Sequence, residues 1–102
     1  MTRLEKITEL YDQSYECLVQ RSALQDAQSK LTSQQGLVFD QILALDFDDE
    51  EFERKHAHLN GQHTALHTAW MSVQKQMTEL TDRSAELREK ADKIVDSLQP
   101  KA

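Results

Sequence analysis

All four histidines of this chain fall in one short stretch, as His56, His58, His63 and His67. His63 and His67 are four residues apart, so on a helix both imidazoles share one face, at a spacing that suits a bound transition metal. Glu53 and His56 repeat the Glu-x-x-His spacing of carboxylate-bridged di-metal bundles. A metal-binding or metal-sensing centre built from Glu53, His56, His63 and His67 is therefore one reading. Such bundles also need carboxylates at the same level on facing helices, and the stretch expected opposite, Ser29 to Leu37, has none. Only ligands pooled by two chains would complete the set. The competing reading is structural, with His56 and His63 as polar seam positions that fix register or partner choice and respond to pH.

Other reactive types are sparse. Cys17 is the single cysteine, so no internal disulfide forms, and a reducing, cytoplasmic setting is expected. There is no glycine-rich phosphate loop and no nucleophile elbow. The expectation is a non-enzymatic protein without a cofactor.

The acids are concentrated. Asp40, Asp46, Asp48, Asp49, Glu50, Glu51 and Glu53 lie together with no base among them, in a chain whose net charge is −6. Nucleic acid is thereby disfavoured as a partner, because binding it needs a basic face that displaces counterions. The bases of the C-terminal region (Arg83, Arg88, Lys90, Lys93) alternate with acids and read as a salt-bridged solvent face. No apolar run approaches the roughly 20 residues that cross a bilayer, so no membrane partner is expected.

The elements that must position these residues are helices. With two Gly and one Pro in 102 residues, the composition favours helix formers. Phe52, His56, Leu59, His63, Leu66, Trp70, Val73, Met77, Leu80, Ser84, Leu87, Ala91, Ile94 and Leu98 recur in steps of four and three. That phase defines one long helix with a continuous seam. Asp48 and Glu51 have capping-box spacing, with Phe47 and Phe52 placed as a hydrophobic staple. Helix 2 is thus predicted from about 49 to 98, ended by Pro100.

Helix 1, predicted over about 2–45, offers two apolar stripes. One is Leu4, Ile7, Tyr11 and Leu18. The other keeps a spacing of seven through Leu10, Cys17, Leu24, Leu31, Val38 and Leu45, with Ser14, Arg21, Gln28 and Gln35 as companions. Gly36 leaves open a break near 33–36, and Asn60-Gly61 marks a soft spot in helix 2. A tight turn at 46–48 would close an antiparallel hairpin, setting Ala23 opposite Trp70 and Ala27 opposite Leu66.

The fold expected is all-α, a single helical-hairpin domain over 1–102. It is a long antiparallel coiled coil that assembles into a four-helix homodimer through Leu59, Leu66, Trp70, Val73, Met77, Leu80, Leu87 and Ile94. The function expected is binding of another protein at the hairpin tip. There Phe39, Ile42, Leu43 and Phe47 supply apolar anchors, and Asp46, Asp48, Asp49 and Glu50 supply charge that steers encounter. The rivals are the metal centre and a purely structural spacer.

Overall fold

The computed structural model describes residues 2–99. Two helices, α1 (Arg3–Leu43) and α2 (Phe52–Leu98), pack against each other as an all-α hairpin, and no strand occurs among the described residues. α1 opens on Thr2, whose Oγ1 accepts the backbone N–H of Glu5 at 3.1 Å. That bond satisfies one of the unpaired donors of the first turn, and Glu5 adds negative charge where the helix dipole favours it. α1 runs through Gly36 and α2 through Gly61 without interruption. No break occurs at 33–36.

The connection is longer than a tight turn. Residues 44–51 form a series of turns, in which Leu45 N–H donates to the Ile42 carbonyl and Asp49 N–H to the Asp46 carbonyl. Two aspartates hold these turns from their side chains. Asp46 Oδ1 accepts from Asp48 N–H at 2.9 Å, and Asp49 Oδ1 accepts from Glu51 N–H at 2.8 Å. Each is an aspartate bonded to the backbone two residues on, the usual way in which Asp competes with helix. This local chemistry displaces the expected Asp48–Glu51 capping box and delays the start of α2 to Phe52. The rings of Phe47 and Phe52 do meet, with centroids 4.8 Å apart.

The chain divides into two compact units. The first comprises Met1–Leu24 with Gln76–Ala102 and holds every buried side chain described. Leu10, Cys17, Leu87 and Ala91 form its core, with Leu80 and Ile94 packed against them. Ile7 and Met77 are also buried. The second helix 1 stripe is therefore the packed one, whereas Leu4, Tyr11 and Leu18 of the first are 70%, 37% and 39% exposed. Small residues set this packing. Ala91 is fully buried, and Ser14 and Ser84 close a polar pair inside it, their hydroxyl oxygens 2.7 Å apart. Each hydroxyl also reaches the other residue's backbone carbonyl, at 3.0 and 3.1 Å. Arg21, at a seam position, is half-buried, and its Nε has no hydrogen-bond partner among the described residues.

The second unit, Gln25–Lys75, contains the connection and has no buried residue. Its seam side chains Leu31, Val38, Ile42, Leu59, Leu66, Trp70 and Val73 are half-buried, whereas His56 is exposed. Hydrogen bonds between the helices set their register. Gln28 Nε2 donates to Gln74 Oε1 at 2.7 Å, Trp70 Nε1 donates to Thr32 Oγ1 at 3.1 Å, and Gln35 lies 3.5 Å from His67 Nδ1. Trp70 thus faces Thr32 and not Ala23. The expected register assumed a symmetric tight turn, and the longer connection shifts α1 along α2. Gln28 and Gln35 occupy heptad positions, and bonding them across the seam requires side chains that stay near its edge. That is why this unit packs without a sealed core.

Candidate protein-binding surface

The tip residues are built on the end of α1, the connection and the first turn of α2. Phe39, Leu43 and Phe47 are 51%, 68% and 84% exposed. Ile42 behaves differently: it falls in the seam phase and is half-buried. Leu37, at the start of the tip segment, is 63% exposed.

The acids divide by role. Asp46 and Asp49 spend one oxygen each on the backbone of the connection. Asp49 also receives Lys55 Nζ at 2.7 Å, and Glu51 receives Arg54 at 2.8 Å. The Lys55 hydrogen bond, helped by the Glu51 N–H, holds the Asp49 carboxyl below the ordinary aspartate range and raises Lys55 in turn. Asp40, Asp48 and Glu50 are exposed, and none has an ion pair or hydrogen bond from its side chain among the described residues. Their charge is fully presented to solvent. The result is a short surface on which three exposed apolar side chains are interleaved with uncompensated carboxylates.

The histidines do not converge. His56 is exposed and stacks on Phe52, with centroids 5.6 Å apart; His67 is exposed and stacks on Trp70 at 6.2 Å; His63 is half-buried at the seam. Glu53 is exposed in the first turn of α2. Among the described residues, no group of three or more His, Cys, Asp or Glu is placed to hold a metal ion. Two of the imidazoles, those of His56 and His67, lie against aromatic rings of their own helix. Cys17 is buried in the core of the first unit.

Met77 and Leu87 are buried, and Leu59, Leu66, Trp70, Val73, Leu80 and Ile94 are half-buried in the packing between α1 and α2.

A feature that the heptad reading passed over is the charge of α2. From His56 to Gln74 there is no Asp, Glu, Lys or Arg, in a chain that is 29% charged. Beside this run, in the second unit, lies a shallow groove of about 550 Å³. Leu37, Val38, Ala65 and Leu66 line it together with Gln34, Gln41 and Gln62. The sequence signal was the missing charge, which a search for apolar periodicity does not register.

Compared with protein-family models, with curated proteins and with solved structures, the chain matches none. Among the described residues no helix is long and apolar enough to cross a membrane.

Proposed function

We propose that this protein is a non-enzymatic, cytoplasmic binding module that docks another protein on the acidic, phenylalanine-bearing connection between its helices. The observation that supports the reading is the exposure of Phe47, Leu43 and Phe39 among carboxylates that make no internal pair. Exposed aromatics are costly to leave in water and serve as anchors when a partner covers them. Surrounding like charges raise the encounter rate with a basic surface and contribute less to final affinity. A spacer with an inert tip would be served equally well by polar residues at 39, 43 and 47.

The test uses proteins captured by the full chain and compared across variants. Phe47→Ser with Leu43→Ser should abolish capture of the specific partner, because both anchors are lost while the helices stay intact. Asp46→Asn, Asp48→Asn, Asp49→Asn and Glu50→Gln together should slow partner association and flatten its salt dependence. Capture that survives the apolar substitutions, or association rates unchanged by the neutral ones, would sink this reading.

A further inference from the structure

We propose that the second unit pairs antiparallel with a second copy of this chain, through the charge-free face of α2 and the glutamine-lined groove beside it. A solvated helix face normally carries charge, and the centre of a protein interface is where charged residues are depleted. Between His56 and Gln74 that depletion is complete for acids, lysine and arginine. Yet Ala57, Gly61, Gln62, Ala65, Met71 and Ser72 of this run are all exposed. A methyl group added at Gly61 would meet nothing within 4 Å. The face is open as well as neutral, and its small side chains allow another helix to approach closely.

Two arguments select a second copy as the occupant. In a two-fold interface a patch meets itself, so a rim of one charge sign would repel, whereas a primary amide is donor and acceptor at once and pairs with its own kind. Gln34, Gln41 and Gln62 line the groove together with Leu37 and Ala65. The charges at the two ends of this unit are also complementary. The end with the connection holds Asp40, Asp46, Asp48, Asp49, Glu50, Glu51 and Glu53 against Arg54 and Lys55, and the other end holds Lys30 and Lys75 against Asp26. An antiparallel two-fold sets the lysines of each copy towards the acids of the other. Of the seam residues first expected to associate, Leu66 lines this groove, and Leu59, Trp70 and Val73 are half-buried.

Sedimentation equilibrium on the full chain, from about 1 to about 500 µM, tests this against wild type and two variants. Wild type should reach twice the chain mass. Ala65→Glu adds a good helix former at an exposed position, so far-UV helicity should be unchanged while the dimer weakens by roughly tenfold or more, through an unpaired charge in the patch. Lys75→Glu should weaken it by a smaller factor. A wild type that stays monomeric over the whole range overturns the proposal. So does an Ala65→Glu variant as dimeric as wild type, or a dimer lost on Tyr15→Glu, on the exposed α1 face of the first unit, and kept in Ala65→Glu. Phe47→Ser should leave the mass unchanged, and a monomeric Phe47→Ser variant would place the contact on the connection instead.

Discussion

Ser14 and Ser84 show how one polar pair can specify packing. Each hydroxyl is buried and bonded to the opposite helix, so the pair is satisfied only when these two positions face each other. Removing one hydroxyl should cost about 1 kcal/mol. The Ser14→Ala and Ser84→Ala effects should sum to more than the double variant loses, since the shared bond is counted twice. Chemical denaturation of the four proteins of this cycle gives the coupling, and strict additivity would contradict the account. Asp49 carries a pH dependence with a definite sign. Its carboxyl titrates lower in the folded chain than in the unfolded one, so the Lys55 contact stabilises above the ordinary aspartate pKa. That stabilisation fades as pH falls through the depressed folded value. Asp49→Asn should therefore lower the thermal midpoint near neutral pH and leave it little changed in strong acid, as a melting series from about pH 7 to about pH 2 would show. Tyr11 has the opposite limb. Its hydroxyl donates to Asp92, which raises its pKa, so the contact holds at neutral pH and is lost in alkali.

At the level of the elements, α2 was legible and α1 only in part. The α2 heptads from Leu59 to Ile94 agree with the burial pattern because nearly every seam position is apolar and the stripe has no rival. In α1 two stripes competed. The more apolar-looking one, with Leu4, Tyr11 and Leu18, is mostly exposed, and the one diluted by Ser14, Arg21, Gln28 and Gln35 is packed. Period, not hydrophobic content, picks the buried face, since only the second stripe keeps the seven-residue spacing over the whole helix. The connection was misjudged because Asp46 and Asp49 bond their own backbone, a choice that composition alone does not rank against a capping box. Arg21 is where α1 gives up stability: a half-buried guanidinium nitrogen without a partner is costly to desolvate. Arg21→Leu should raise stability by about 1 kcal/mol, read from the urea midpoint, and a destabilised variant would mean that the charge is compensated. Gly36→Ala should also stabilise, by roughly 0.5–1 kcal/mol, because the position is helical and its Cβ would meet nothing within 4 Å.

For the whole molecule, the division of burial has dynamic consequences. All buried side chains described belong to the first unit, and the second is held by half-buried apolar contacts and interhelical hydrogen bonds. Backbone amides of Gln25–Lys75 should therefore exchange with solvent sooner than those around Leu10, Cys17, Leu87 and Ala91. Equal protection in both units would contradict this. The more easily opened unit is also the one that carries the exposed phenylalanines, the acids and the charge-free face, so the surfaces proposed for binding coincide with the weakest packing. A photo-crosslinking amino acid placed at Phe47, with the same group placed at Asp82 as control, tests the central claim most directly. The account predicts a discrete partner adduct from position 47, none from position 82, and slower formation of the first when Asp46, Asp48 and Glu50 are neutralised. Position 47 giving no more adduct than position 82 would contradict it and leave the hairpin a spacer.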